Sequence, residues 1–273
     1  MKYADLHLHT VYSDSTYTPQ ELIAASVKAG LSAISVVDHD TVDGIAPTIE
    51  AAKKENIEVV PGIELSAEYE QSEVHILGYY VDCANKELLL KLAKVQQNRI
   101  DRIHKITEKL KELGLALEPD DVFKQGTGGT VGRLHVARAM VEKGLVSSTY
   151  EAFQKYLGDK GPAFFLGFRV SPQEAVSLIR NAGGVPVLAH PCTLHNDELI
   201  LKFISCGIMG LEIYYPEHSQ GMINLYLDIA KNYNLLVTGG SDCHGKGKSE
   251  VRIGSIKLPY ELVEEIKAAK GGR

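Results

Sequence analysis

Short apolar runs alternate along this chain with longer stretches in which apolar residues return every three or four positions. The short runs Tyr3–His7, Ala33–Val37, Glu58–Ile63, Val74–Tyr80, Val185–Ala189, Gly210–Tyr214 and Leu235–Thr238 predict β-strands. Between them, Pro19–Ala29, Ala46–Glu55, Pro172–Ala182, Asp197–Cys206 and Ser219–Tyr233 read as helices. Thr18-Pro19-Gln20-Glu21 and Ser171-Pro172-Gln173-Glu174 mark two helix starts. Each offers a capping hydroxyl, proline at the first helical position and glutamate three residues after the cap. Strands alternating with helices imply parallel strands and an α/β architecture.

One region breaks the rhythm. From Lys86 to Lys160 the pattern is almost wholly helical, with Leu88, Leu92, Val95, Ile103, Ile106 and Leu110 at three- and four-residue spacing. A glycine-rich stretch, Gln125–Gly129, leads to a second amphipathic segment, Leu134–Glu142. Residues 86–160 therefore read as a helical insertion domain, a lid over a core made of residues 1–85 and 161–273.

Composition narrows the class. At 273 residues, 44% hydrophobic and 23% charged, the chain can bury a large core and is not a disordered polymer. A net charge of −6 excludes a general nucleic-acid-coating protein. That total is uneven: the insertion holds 14 Lys/Arg against 10 Asp/Glu, which leaves about −10 for the remainder. A basic lid suits an anionic substrate, although a solvated helical face would show the same balance. Cys83, Cys192, Cys206 and Cys243 form no CxxC pair. With no signal-like or membrane-length apolar run, the expectation is a reduced, cytoplasmic protein without a membrane role.

The ten histidines carry the chemistry. His7 and His9 form an HxH pair at the end of the first strand, where residues two apart share a face. Asp14 follows in the next loop. His39 ends the second strand between Asp38 and Asp40, Glu64 ends the third, and His75 lies in the fourth. His190 ends a later strand, and Asp242 and His244 follow the last. In a closed parallel barrel such strand ends meet around one cavity. Six imidazoles and three carboxylates would compete there for protons unless divalent cations bound the neutral rings and the ionised carboxylates. Asp38, Asp40 and Asp5 are candidates to orient the ligating imidazoles from behind.

These segments resemble the PHP (polymerase and histidinol phosphatase) family, whose signatures occur in order. They are DLHLHT at Asp5–Thr10, VVDHD at Val36–Asp40, the Glu64 and His75 segment with AHP at Ala189–Pro191, and GGSDCHG at Gly239–Gly245. The resemblance implies a distorted (β/α)7 barrel with three divalent metal ions, Mn²⁺ foremost and Fe²⁺ or Zn²⁺ as alternatives. It implies that His7, His9, Glu64 and Asp242 hold the first ion. Glu64, His75 and His190 would hold the second, and Asp14, His39 and His244 the third. The insertion, with Gly132-Arg133-Leu134-His135-Val136-Ala137-Arg138, narrows the likeness to one subfamily. That group includes 3′,5′-nucleoside bisphosphate phosphatases and the 5′→3′ exoribonuclease ribonuclease AM.

The expected chemistry follows. A hydroxide bridging two ions that share Glu64, and held by His7, His9, Glu64 and Asp242, would attack phosphorus in line, with no protein nucleophile. The foremost substrate is a nucleoside 3′,5′-bisphosphate such as pAp, losing its 3′-phosphate. Stepwise trimming of short 5′-phosphorylated RNA or DNA is the alternative, and a non-catalytic regulatory module is a third reading. Arg133 is expected to grip a phosphate bidentately and His135 to add a hydrogen bond, unless both serve only the helix they begin. His218 is a weaker candidate for the same role. No motif for sequence-specific nucleic-acid binding is present, and the sequence is silent on oligomeric state.

Overall fold

The computed structural model describes the chain except residues 71, 127–129, 159, 166, 168, 169, 246–251 and 271–273. Most of the Gln125–Gly129 stretch therefore lies outside the described residues. The strands are β1 (Tyr3–Leu8), β2 (Ala33–Val36), β3 (Glu58–Tyr69), β4 (Ser72–Tyr79), β5 (Val185–Leu188), β6 (Gly210–Tyr214), β7 (Leu236–Gly239) and β8 (Leu258–Pro259). They form one sheet in the order β7-β6-β5-β4-β3-β2-β1-β8. The sheet curls until the segment after β7 meets β1: the Asp242 N–H donates to the His7 carbonyl at 2.9 Å, and Leu8 pairs with Cys243. The result is a nearly closed, distorted α/β barrel of seven strands, with β8 antiparallel along the start of β1. Closure depends on Gly240, where a Cβ would lie 2.3 Å from the His7 backbone nitrogen, so any side chain would hold the two edges apart.

The helices are α1 (Pro19–Lys28), α2 (Ile45–Ala52), α3 (Lys86–Glu112), α4 (Pro119–Phe123), α5 (Arg133–Glu142), α6 (Thr149–Ala152), α7 (Pro172–Asn181), α8 (Glu198–Ser205), α9 (Gln220–Asn232) and α10 (Glu261–Ala269). Both expected helix starts carry their caps. Thr18 Oγ1 accepts from the Glu21 N–H at 3.3 Å while Glu21 accepts from the Thr18 N–H at 2.9 Å. Ser171 Oγ accepts from the Glu174 N–H at 3.2 Å.

Two strand expectations change. β4 runs antiparallel to both β3 and β5, so the barrel is not wholly parallel. β3 also continues past Ile63 to Tyr69, paired with β4 from Gly62–Tyr79 to Tyr69–Ser72. The cause lies in the connection: only residues 70 and 71 separate β3 from β4, enough for a hairpin and too few for a crossover helix. Glu64 consequently sits inside a strand rather than at its end.

Two apolar layers sandwich the sheet. Ala4, Leu6, Val60, Leu77, Tyr79 and Val187 pack inside, and Leu8, Ile34, Val36, Ile63 and Ile76 pack outward with α1, α2 and α7 residues such as Leu22, Ile45 and Ile179. α3 serves two cores. Leu88, Leu92 and Val95 join the outer barrel layer, while Ile103, Ile106 and Leu110 pack with Val136, Met140 and Leu157 of the helical segment. One long helix thus ties the helical segment to the barrel.

Candidate metal centre

A bulge in β1 aims the first two histidines. Its pairing with β2 shifts register between Asp5 and Leu8, so Leu6 packs inside with Ala4 while Leu8 packs outward. His7 and His9 then face the mouth together, as bulges beside active sites commonly achieve. The hairpin supplies Glu64 and His75 from one face: Ser66 opposes His75, and Glu64 lies one diagonal away. His190 and Asp242 adopt φ of 22° and 52°, a region costly for residues with a Cβ. Partners hold both there. The His190 N–H donates to Glu212 at 2.7 Å, and the Asp242 N–H to the His7 carbonyl.

All nine proposed ligands meet at this mouth. Glu64 Oε1 lies 2.7 Å from His75 Nδ1 and 3.1 Å from His190 Nε2. Its Oε2 lies 3.2 Å from His7 Nε2, 3.3 Å from His9 Nε2 and 3.2 Å from His39 Nδ1. Asp242 Oδ1 is 3.2 Å from His9 Nε2 and 3.3 Å from His244 Nδ1. Asp14 Oδ1 is 3.0 Å from His244 Nε2, and its Oδ2 is 3.9 Å from His39 Nε2. Ligand atoms within 4.8 Å of one another fall into four overlapping sets: His9-Asp14-His39-His244, His7-His190-Asp242, His7-His9-Glu64 and His39-Glu64-His75. They cut across the partition that the resemblance implies, with His190 grouped with His7 and Asp242.

The electrostatics call for added positive charge. Burial disfavours the charged form of His7, but the Glu212, Glu64 and Asp242 carboxylates outweigh it and raise its pKa. Burial likewise opposes protonation of His9 and His75, yet Asp242 and Glu64 for the first, and Glu64 and Glu73 for the second, lift both to about 9. His39 goes the other way, depressed by burial and by the His9 and His75 charges. Glu64 and Asp14 are buried, which alone would raise them, but the imidazoles hold both well below the usual carboxylate range. Protons cannot satisfy all six rings at once. His9 and His39 also face the carboxylates without donating to them: among the described residues neither ring nitrogen of His9, nor Nδ1 of His39, makes a hydrogen bond. Nitrogen lone pairs and carboxylate oxygens converging at such distances without hydrogen-bond geometry fit a divalent cation, and the N/O donor set suits Mn²⁺, Fe²⁺ or Zn²⁺.

Behind the ligands, the sequence reading needs correcting. Asp38, Asp40 and Asp5 are buried but brace the backbone of ligand-bearing loops instead of the imidazoles. Asp38 accepts from the Thr10 N–H at 2.7 Å and the Ser13 hydroxyl at 2.5 Å. Asp40 accepts from the Ser66 N–H at 2.9 Å and Arg99 Nε at 2.7 Å. Asp5 accepts from the Ser241 N–H at 2.8 Å and the Gly254 N–H at 2.9 Å, and burial pushes it up to about 6. The imidazole-orienting carboxylate is Glu212, which sequence reasoning missed. Its Oε1 lies 2.8 Å from His7 Nδ1. One signal was present: a lone glutamate in the short strand Gly210–Tyr214, where a buried charge needs a partner. Tyr215, also missed, donates its hydroxyl to Asp242 Oδ2 at 3.0 Å.

A cavity of ≈ 300 Å³ opens beside this cluster, lined by Glu64, His75, His190 and Asp242 and walled by Arg133 and Tyr215. Arg133 Nη2 donates to Glu73 at 2.8 Å. His135 is buried at the start of α5, its Nδ1 accepting the Gly132 N–H at 3.1 Å, and burial lowers it to about 4. His218 is turned beneath Tyr215, with Nδ1 2.8 Å from the Ile213 carbonyl, so neither His135 nor His218 lines the cavity. Thr130 fixes the entry to α5 on the ligand loops, donating its N–H to the Tyr12 carbonyl (3.0 Å) and its hydroxyl to the His39 carbonyl (2.7 Å). On α5, Arg138 keeps Nε and Nη2 buried without a hydrogen-bond partner among the described residues.

The family model described as PHP domain matches residues 5–159. The chain is 29% identical over 256 residues to a 3′,5′-nucleoside bisphosphate phosphatase of Chromobacterium violaceum, covering 92% of this chain and 90% of that protein. It is 31% identical over 245 residues to a 5′-3′ exoribonuclease of Haemophilus influenzae, covering 88% and 89%. A phosphoribosyl 1,2-cyclic phosphate 1,2-diphosphodiesterase of Eggerthella lenta is 29% identical over 250 residues, covering 89% and 94%. In structure the chain is similar to a Bifidobacterium adolescentis protein described as a metal-dependent phosphoesterase, with TM-score 0.91, 32% identity and 99% and 96% coverage. Among the described residues no helix is long and apolar enough to cross a membrane.

Proposed function

The chain belongs to the PHP domain family, and from that premise we propose that it is a metal-dependent phosphomonoesterase removing the 3′-phosphate of a nucleoside 3′,5′-bisphosphate such as pAp. Glu64 carries the reading: a single buried carboxylate facing His7, His9, His39, His75 and His190 is placed to help hold more than one cation, which would supply the charge these rings and carboxylates lack. Three divalent ions, Mn²⁺ foremost, would be held by His7, His9, Asp14, His39, Glu64, His75, His190, Asp242 and His244. When bound they supply Lewis-acid charge and a nucleophile near neutral pH.

The chain's own groups do the rest. Glu212 accepts from His7 Nδ1–H, which fixes the tautomer and leaves Nε2 for a cation. Tyr215 ties down Oδ2 of Asp242 and leaves Oδ1 toward the rings. Arg133 orients the phosphate on the cavity wall. Arg138, anchored with α5 over the His39 loop, offers N–H groups without a partner among the described residues, which a second phosphate would satisfy. The ≈ 300 Å³ cavity is at the low end for small-molecule sites, which favours a nucleotide over a long strand. The similarity to a 5′-3′ exoribonuclease supports the second reading, stepwise trimming of short 5′-phosphorylated oligonucleotides.

Mn²⁺-loaded protein assayed on pAp and on 5′-phosphorylated oligonucleotides separates the two. Phosphate release from pAp without trimming is expected. Mononucleotide release from oligomers with no pAp turnover would replace the first reading by the second.

A further inference from the structure

Arg133 already has an anion. Glu73 Oε2 accepts from its Nη2 at 2.8 Å and lies 3.8 Å from Arg102 Nη2. The other carboxylate oxygen, Oε1, lies 2.9 Å from His75 Nε2, and the far nitrogen of that ring lies 2.7 Å from Glu64. Glu73 therefore stands between a proposed metal ligand and the arginines of the helical segment. Glu73, His75 and Arg133 line the same cavity, so this carboxylate faces the space where a substrate would sit.

The two arginines are held from behind. Arg133 Nη1 donates to the Leu157 carbonyl at 3.1 Å, and its guanidinium lies over Phe164, 5.2 Å from the ring centre. Arg102 Nε donates to the Phe165 carbonyl at 2.6 Å. Both cations are thus held in place, and each turns a terminal nitrogen toward Glu73. A carboxylate on a guanidinium edge occupies the position in which a phosphate oxygen would bind. Glu73 thus sets a negative charge against the arginines at this wall of the cavity.

We propose that Glu73 is an internal competitor for the substrate's phosphate. It holds Arg133 ready on the cavity wall, and it gives up part of that edge when a phosphate arrives. The inference rests on the reading that this cavity takes a phosphate ester. Its consequence is a trade. Resting phosphate binds less tightly than Arg133 would allow without Glu73, so the product leaves sooner, and binding is not spent on the ground state. Glu73 is a positioning residue in this account, acting through Arg133.

The variant Glu73→Gln keeps an acceptor for His75 and removes the competing charge. The probe is inorganic phosphate, titrated by calorimetry into metal-loaded wild type and E73Q, with the metal content of both measured. Removing a like charge beside the incoming anion should tighten phosphate binding by roughly tenfold. On pAp, KM and kcat should both fall, because Arg133 binds more and is held less. A double variant with Arg133→Gln should lose the gain. Unchanged or weaker phosphate binding at equal metal content would overturn the proposal. So would a loss of metal with no gain in phosphate affinity, which would make Glu73 a partner of His75 alone. Calorimetry needs no turnover, so a protein that ignores pAp would contradict the proposed substrate and still decide the role of Glu73.

Discussion

In the barrel mouth Glu64 faces His7, His9, His39, His75 and His190 at once, whereas in the helical segment Arg99 closes on partners of its own. Arg99 binds Asp40, the Ser66 hydroxyl and the Val131 carbonyl. The difference is physical. An oxygen shared by several imidazoles cannot accept from each of them, so the mouth has an unmet demand for multivalent positive charge. A private ion pair is complete as it stands and asks for nothing. Arg138 differs from Arg99: its Nε and Nη2 are buried with no hydrogen-bond partner among the described residues.

The sharpest way to break this comparison is to remove a shared ligand. His9→Ala or Asp242→Ala should cost more than about 100-fold in kcat for the metal-loaded protein, beyond the 10–100-fold range of outer partners. Retention of wild-type activity in both would dissolve the shared cluster as the reactive centre. One step outward, Glu212→Ala should weaken metal binding by about 10–100-fold, read by competition with a chelator, because His7 loses its fixed tautomer and His190 its backbone anchor.

The arginines offer a paired test. Arg99→Gln breaks a largely buried ion pair with Asp40 and should lower stability by about 3–5 kcal/mol in denaturant melts. Arg138→Gln should leave stability within about 0.5 kcal/mol and instead raise KM for pAp by about tenfold, with little effect on a 3′-monophosphate. Equal destabilisation by the two would show that Arg138 is also a private pair.

The effect confined to acid pH concerns His135. Burial lowers its pKa from 6.5 to about 4 in the folded chain, so the unfolded chain takes up a proton first as pH falls. The associated stability is fully present above pH 6.5 and is lost progressively between pH 6.5 and about 4. His135→Gln, whose amide oxygen can still accept the Gly132 N–H, should flatten that decline by up to about 2 kcal/mol at pH 5. An unaltered slope would mean that His135 does not report this burial.

Much of the barrel was legible because its signals are local. Alternating apolar runs, the Thr18 and Ser171 caps and the HxH spacing each act within a few residues. The gathering of histidines and carboxylates at one mouth was legible for the same reason, since all of them but Asp14 sit in or just beyond a strand. What stayed hidden needed three dimensions. The antiparallel β4 follows from a two-residue connection that reads as the end of a strand. Glu212 looked like any strand residue until His7 was placed against it. Asp38 and Asp40 flank His39 in sequence yet turn to loop backbones and Arg99. Arg133 is recognisable as a phosphate-binding residue type, but the Glu73 that meets it comes from another element.

Anomalous diffraction from crystals grown with Mn²⁺ tests the central claim most directly. Three manganese peaks among His7, His9, Asp14, His39, Glu64, His75, His190, Asp242 and His244, two of them sharing Glu64, are the expected result. No peak at the barrel mouth, or peaks that leave Glu64 without a metal contact, would contradict it.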